Sequence, residues 1–476
     1  MKVNPNIFRG YDIRGVVDKD LDPVFANNLG KAFGTYLVRR GVGQAIVGHD
    51  CRMTSPEYSK EVTKGLIWAG VDVVNIGLNL VGTFYWSQYY FECKGGIYVT
   101  ASHNPAEYNG FKLAINFSDT LVSDGIQELR QMIEQEDFIK GKQEGNIKYQ
   151  NIQNEYVQDL LGRISLRRGF RVVIDPGFST AGIIIPTLLK MAGCDVVESN
   201  CSIDPSFPLG TPDPIDVEVA RRLSKKVIEE KADIGFSYDA DGDRIGIVDE
   251  KGNIIWNDVL VAIFAKDVLN THPGEIIMYN TLCSKVVEES ILQSGGRPFM
   301  WRTGHSFLKK KNQEIKAAFI GELSGHFFFS ADFYNHDDGA YSSLRLLKYL
   351  ADTNRSLSEA VDELPKYISS PEIKIYCDDN AKVDLIKKIT PVLKADFSDA
   401  EIIDDERAGD GVRIDFRDGM FVIRYSQNAP YMTVKFEGKT QERYDQLRIY
   451  IDKLLHSYPE VDWNSNINQN TKFLSD

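Results

Sequence analysis

Two clusters of residues in this chain have types and spacings that could do chemistry. Thr100-Ala101-Ser102-His103-Asn104-Pro105 sets a hydroxyl among small and polar residues just after an apolar run. Asp239-Ala240-Asp241-Gly242-Asp243-Arg244 places three carboxylates at alternate positions around a glycine. Carboxylates so spaced can converge on one hard cation, and without it their mutual repulsion is unfavourable. A hydroxyl nucleophile beside an oxygen-lined cation site is what phosphoryl transfer through a phosphoserine requires. Each cluster also has a plainer reading. Ser102 could be a turn or helix cap, and it lacks the flanking glycines of a nucleophile elbow. The acids could form a solvated turn or a calcium loop, since Glu250 falls twelfth counting from Asp239. The sixth position, however, is Arg244 where the sharp calcium-loop turn needs glycine, and both flanks read as strands.

Further candidates surround these two. Lys112, in Asn109-Gly110-Phe111-Lys112, could move the proton of a phosphate-accepting hydroxyl if neighbouring cations lower its pKa. In Gly321-Glu322-Leu323-Ser324-Gly325-His326 a carboxylate and a hydroxyl lie between glycines, able to grip vicinal sugar hydroxyls or to serve only as a connector. Cations recur at Arg9 and Arg14 in Phe8-Arg9-Gly10-Tyr11-Asp12-Ile13-Arg14-Gly15, and at Lys285, Arg302 and Arg413. Arg424 opens Arg424-Tyr425-Ser426-Gln427-Asn428-Ala429-Pro430. Arginine beside hydroxyl and amide donors suits phosphate, although each cation taken singly also reads as a surface charge. Lys309-Lys310-Lys311 reads as a solvated helix face.

The elements that must position these residues alternate along most of the chain. Ala45–Val47, Val71–Ile76 and Gly96–Thr100 read as strands, with a helix over Pro56–Ala69. Arg171–Ile174, Ile234–Tyr238 and Ile245–Val248 follow as strands, with a helix over Ile183–Met191. Val259–Leu269 and Lys285–Gln293 are helical, and Ile276–Tyr279, Phe299–Arg302 and Ala317–Ile320 are strands. Such alternation predicts α/β layers, whose ligand loops follow the carboxyl ends of strands. The last part is strand-rich, with Glu372–Tyr376, Gly411–Phe416, Phe421–Arg424 and Met432–Phe436, and predicts a smaller α+β domain. Boundaries fall at 1–150, 151–258, 259–368 and 369–476, and the asparagine-rich stretch 464–470 is expected to fray.

Composition narrows the function classes. A chain of 476 residues exceeds one core at ~100–200 residues per domain. A net charge of −13 disfavours nucleic acid or an anionic membrane as partner. Six scattered cysteines without a CxxC pair read as reduced thiols of a cytoplasmic protein, and no apolar run is long enough to span a bilayer. No G-x-G-x-x-G, Walker A or H-E-x-x-H motif is present, so dinucleotide, NTP and zinc readings lack their marks.

Taken in order, these motifs resemble the α-D-phosphohexomutase family, its bacterial phosphomannomutase/phosphoglucomutase branch in particular, from Phe8 to about Lys439. The resemblance implies three similar mixed α/β domains plus a smaller C-terminal α+β domain around a central cleft. It implies phosphorylation of Ser102, and one Mg²⁺ held by its phosphate with Asp239, Asp241 and Asp243. Lys112 and Arg14 match residues of proton transfer and charge stabilisation; His103 and His326 accompany them, and Arg244 and Tyr11 line the site. Glu322 and Ser324 match the loop that reads sugar hydroxyls, and Leu323 between them is close to the methionine of the phosphomannomutase branch. Arg424 and Ser426 match the loop that holds the substrate phosphate, helped by Lys285 and His305. Gln427 and Asn428 replace the family's usual Asn and Thr there, which changes the reach of the donors. The implied activity interconverts hexose 1-phosphate and hexose 6-phosphate, with hexose 1,6-bisphosphate as intermediate and activator, in a monomer whose partners are small hexose phosphates. A phosphoglucosamine mutase, a metal-dependent sugar phosphatase and a non-enzymatic sugar-phosphate sensor are the alternatives.

Overall fold

The computed structural model describes residues 1–427 and 429–475, and these form two compact units. One comprises Met1–Pro214, Arg222–Asn253 and Phe333–Leu357; the other comprises Ile215–Arg221, Ile254–Asp332 and Ser358–Asp476, its last residue lying outside the described part.

The first unit holds two mixed sheets. In the larger, the spatial order is Ile13–Val16, Tyr108–Ile115, Gly95–Val99, Gln44–His49, Asp72–Leu78 and Ile147–Tyr149. Gly95–Val99, Gln44–His49 and Asp72–Leu78 run parallel, while Tyr108–Ile115 is antiparallel to both of its neighbours. The parallel strands are apolar runs because helices cover them. The helices Pro23–Arg39 and Ser55–Trp68 pack over this sheet on Phe25, Leu29, Phe33, Tyr58, Val62 and Leu66, in one core with Val47, Ile97 and Val99. Asp22 caps the first of these, accepting the Phe25 amide at 2.6 Å just ahead of Pro23 at the opening position. The second sheet runs Ile245–Asp249, Ile234–Tyr238, Arg171–Asp175, Asp195–Glu198. Its centre is parallel, and Ile245–Asp249 folds back antiparallel on Ile234–Tyr238 through the acidic loop.

In the second unit, Arg297–Trp301, Ile276–Asn280 and Phe319–Gly321 are parallel neighbours, and Phe327–Phe328 closes back on the last of them. An antiparallel sheet follows in the order Glu401–Ile403, Gly411–Phe416, Gly419–Tyr425, Tyr431–Gly438, Ile373–Cys377 and Val461–Asp462. The helices Lys382–Asp396 and Gln441–His456 share its core through Leu385, Ile389, Leu393, Leu447, Ile451 and Leu455.

Mixed α/β sheets followed by an antiparallel α+β region match the predicted fold class. Three local readings change. The stretch 464–470 is tied down: the Asn468 side chain accepts the Tyr376 amide at 2.7 Å, Gln469 bridges Lys374, and Asn470 donates to Glu372 O at 2.8 Å. Its asparagines satisfy the edge of strand Ile373–Cys377. Lys309 is buried on helix His305–Ile315, unlike the solvated face read for the lysine run. Arg413 is no surface charge either; it is buried, ion-paired to Asp415 at 2.9 Å and bonded to Thr281 O and Cys283 O at 2.7 and 2.6 Å.

Candidate active site

Strand Gly95–Val99 delivers Thr100 and then Ser102, whose φ is +46°. A left-handed backbone at a serine costs about 1–3 kcal/mol and persists only where its surroundings hold it. The Ser102 amide donates to Thr100 Oγ1 at 2.8 Å, and Thr100 N donates to Gly110 O at 3.0 Å. The neighbouring sheet contributes the acids. After Tyr238 the chain turns through Gly242, where φ is +75°, and Asp239 Oδ1 accepts the amides of Gly242 and Arg244 at 3.1 and 3.2 Å. Glycine takes this conformation without a Cβ penalty, which lets the three alternate carboxylates face one point.

The two loops meet. Ser102 Oγ donates to Asp239 Oδ2 at 2.8 Å, and His103 Nδ1 lies 3.2 Å from the same hydroxyl. Lys112 reaches in from strand Tyr108–Ile115, with Nζ 2.9 Å from Asp241 Oδ2 and 2.6 Å from Asp243 Oδ2. Arg244 binds Asp239 Oδ2 at 3.0 Å and Asp213 Oδ1 at 3.2 Å. Arg14, paired to Asp12 at 2.7 Å, donates to Ala101 O at 3.2 Å and to the Asn104 side chain at 2.8 Å. Tyr11, three residues before this arginine, is also buried.

Asp239, Asp241 and Asp243 are each 0% exposed, and ligand oxygens of all three lie within 4.8 Å of one another. Burial, then the charges of Asp243 and Asp241, push the Asp239 carboxyl well above the usual carboxylate range. Asp241 is held down at about 2: burial opposes this, but the Lys112 ammonium outweighs it. Asp241 Oδ1 is buried with no hydrogen-bond partner among the described residues. An all-oxygen, anionic cluster with an unused oxygen fits a hard divalent cation.

The sequence makes Lys112 a proton mover only if cations lower its pKa, and its neighbours here are Asp241, Asp243, Tyr85 and Asp337. Although burial opposes the charge, they hold its pKa well above the ordinary lysine value. These partners favour the charged form of Lys112 beside Asp241 and Asp243.

In the second unit the turn after Phe319–Gly321 carries Glu322 and Ser324. It is closed by Glu322 N to His326 O and Gly325 N to Glu322 O, both at 3.0 Å. Glu322 is buried and accepts the Gly304 amide at 2.9 Å, Leu323 N donates to Asn280 Oδ1 at 3.1 Å, and Ser324 stays half-buried. The His305 and His326 rings stack with centroids 4.9 Å apart. Lys285 opens helix Lys285–Gln293 after the Ser284 cap, its amide donating to Glu437 Oε1 at 2.9 Å. Arg424 ends strand Gly419–Tyr425 in a two-pronged ion pair with Asp410, its Nε at 2.8 Å, and Gln427 Nε2 joins the same carboxylate at 3.3 Å. Ser426 is buried in this turn, and Asn428 lies outside the described residues.

Sequence reasoning missed several residues. Lys382 is buried and clamps the Arg424 turn, donating to Ser426 O at 2.6 Å, Ala429 O at 3.0 Å and Asp379 Oδ1 at 2.6 Å. Asp410, the partner of Arg424, carried no motif. Asp50 and Arg52 lie behind Ser102; Asp50 follows the Gly48-His49 strand end, but nothing in the sequence joined it to Arg52 or to the serine.

Comparison with known proteins adds kinship to this geometry. Family models described as phosphoglucomutase/phosphomannomutase alpha/beta/alpha domains I, II and III match residues 5–140, 154–252 and 256–367. A phosphomannomutase/phosphoglucomutase of Pseudomonas aeruginosa is 37% identical over 443 residues, covering 93% of this chain and 94% of that protein. A phosphoglucomutase of Neisseria gonorrhoeae is 33% identical over 464 residues, covering 97% and 99%. The crystal structure of a phosphoglucomutase/phosphomannomutase family protein from Burkholderia thailandensis superposes with a TM-score of 0.87 at 33% identity, covering 97% of this chain and 99% of that one.

Proposed function

Because this chain belongs to the α-D-phosphohexomutase family, we propose that it acts as a phosphomannomutase/phosphoglucomutase, moving a phosphoryl group between positions 1 and 6 of a hexose through a phosphorylated Ser102. One observation carries the reading: a buried serine hydroxyl in a strained backbone, 2.8 Å from a carboxylate of the acid triad, with Lys112 and Arg244 bound to the same triad.

In the first half-reaction the phosphoryl group leaves Ser102 Oγ and bonds to the free hydroxyl oxygen of a hexose 1-phosphate, and the proton that hydroxyl loses balances the one Ser102 Oγ gains. His103 Nδ1 is near enough to Ser102 Oγ to hand it a proton as the P–O bond breaks. The bisphosphate then reverses, and Ser102 Oγ takes the other phosphoryl group, releasing hexose 6-phosphate. Lys112, Arg14 and Arg244 keep positive charge where phosphoryl oxygens pass. Asp239, Asp241 and Asp243 with an oxygen of phospho-Ser102 would hold Mg²⁺, which supplies Lewis acidity when bound. Glu322 and Ser324 grip sugar hydroxyls that look alike in both orientations, His326 joins the catalytic groups, and His305 helps hold the phosphate. Arg424, Ser426, Gln427 and Lys285 hold the non-reacting phosphate. Hexose 1,6-bisphosphate serves as activator, the chain works as a monomer, and its domains divide at 150, 258 and 368.

The test is conversion of glucose 1-phosphate and mannose 1-phosphate to the 6-phosphates with Mg²⁺ and a trace of bisphosphate, beside glucosamine 1-phosphate. The two hexoses are expected to turn over faster. Stoichiometric release of inorganic phosphate in place of the 6-phosphate would refute a mutase.

A further inference from the structure

The loop bearing Ser102 is fastened from behind by a side chain that no motif singles out. Arg52 is buried, and each of its terminal nitrogens reaches two main-chain carbonyls of that loop. Nη2 donates to Ser102 O and Asn104 O, both at 2.6 Å, and Nη1 to Pro105 O at 2.7 Å and Tyr108 O at 3.0 Å. Every terminal N–H of the guanidinium is thus spent on one stretch of backbone. Its Nε lies 3.2 Å from Asp50 Oδ2, and the Asp50 carboxylate also accepts the Arg52 amide at 3.0 Å and Thr100 Oγ1 at 2.8 Å. Thr100 Oγ1 in turn receives the Ser102 amide. Both the N–H and the C=O of Ser102 therefore lead back to the same buried Asp50–Arg52 pair, one through Thr100 and the other through Arg52.

We propose that Arg52, anchored by Asp50, is a positioning residue for the phosphoryl-carrying serine: it fixes the left-handed backbone that aims Ser102 Oγ at Asp239. The proposal rests on the phosphoserine reading above. Carbonyl contacts set where the loop runs and leave its side chains free to react. A planar fork with four terminal donors can span two turns of loop at once, whereas a lysine offers three donors from one point. Charge-assisted bonds of this kind are stronger than neutral ones, which suits a loop that must hold a strained residue.

The experiment is Arg52→Lys in the full chain, assayed with glucose 1-phosphate, with active sites counted by incorporated labelled phosphate and folding followed by Tm. Displacing a nucleophile by about 1 Å costs on the order of 100-fold, so kcat per phosphorylated site is expected to fall at least about tenfold. KM, set by residues of the sugar and phosphate loops, is expected to stay within about twofold. Hydrogen exchange should quicken at residues 101–108 and not in helix Ser55–Trp68. A second variant, Asp50→Asn with Arg52→Met, leaves neither buried charge alone and so guards against simple unfolding; it is expected to show the same kcat loss. Unchanged kcat per site in either variant, or a loss of activity that only tracks the folded fraction, would overturn the proposal, as would failure of both variants to fold. An active wild type with an active Arg52→Lys sinks this inference alone. A wild type that neither labels Ser102 nor interconverts hexose phosphates sinks the phosphoserine reading, and this inference with it.

Discussion

At the scale of single residues, the site is a balance of buried charge. Asp239, Asp241 and Asp243 face Lys112 and Arg244, and the unpartnered Asp241 Oδ1 is the atom with most to gain from a cation. Asp241→Asn removes one ligand charge and one of the two carboxylates paired with Lys112, so the Mg²⁺ concentration for half-maximal rate should rise at least about tenfold while kcat falls. A metal titration matching wild type would contradict the ligand role. A second buried acid gives a pH signature of its own. Asp338 caps helix Gly339–Thr353, accepting the Tyr341 amide at 2.9 Å and the Tyr156 hydroxyl at 2.8 Å, and burial raises its pKa to about 7. A carboxyl whose folded pKa is raised keeps its proton in the fold after the unfolded chain has lost it. Stability therefore falls as pH rises from about 4 to about 7, by up to about 1.4 kcal/mol per unit. Asp338→Asn retains a capping side chain without the charge, so its urea midpoint should fall less than wild type's between pH 4.5 and 7.5. Parallel curves for the two proteins would rule out Asp338 as the source.

At the scale of elements, the strands that deliver the site were readable and their supports were not. Ile234–Tyr238 and Gly411–Phe416 have the bounds that apolar runs between turn residues suggested, as does helix Lys285–Gln293, and the chemistry follows strand ends as an α/β sheet requires. Strand Tyr108–Ile115 escaped notice because Asn109, Gly110 and Lys112 interrupt its apolar pattern. Asn109 donates to Thr54 Oγ1 at 2.9 Å, and Lys112, on the opposite face of the strand, meets the acid triad. Lys382 and Asp410 were illegible for a related reason, since charged side chains look solvated until a fold buries them, Lys382 against backbone carbonyls and Asp410 against Arg424. Lys382→Met should therefore loosen the Arg424 turn, raising KM for hexose phosphate several-fold with a smaller change in kcat, as steady-state kinetics would reveal. Equal KM values would mean the turn holds its shape without the clamp. Close approach constrains the helices as well. A Cβ on Gly65 would stand 2.3 Å from Asn27 O, in the crossing of helices Pro23–Arg39 and Ser55–Trp68. Gly65→Ala is expected to cost about 1–3 kcal/mol in urea unfolding, and a neutral result would contradict the tight crossing.

At the scale of the whole molecule, a chain of net charge −13 buries only a few of its cations. Arg14, Arg52, Lys112, Arg244, Arg413 and Arg424 are all buried, and each is ion-paired to a carboxylate. Among the described residues no helix is long and apolar enough to cross a membrane, and the six cysteines are unpaired. The family models, the relatives across nearly the full length and the fold at a TM-score of 0.87 agree with the chemistry that Ser102 and the acids announced. What composition and motifs could not convey was the second layer, because backbone carbonyls and buried counter-charges have no sequence signature. The most direct measurement is to incubate the protein with hexose 1,6-bisphosphate labelled in its phosphates, map the labelled residue, and then chase with unlabelled glucose 1-phosphate. Label on Ser102 that passes to the sugar at the rate of turnover, and that Ser102→Ala fails to take up, is the expected result. Turnover that continues with no label on Ser102, or undiminished in Ser102→Ala, would contradict it.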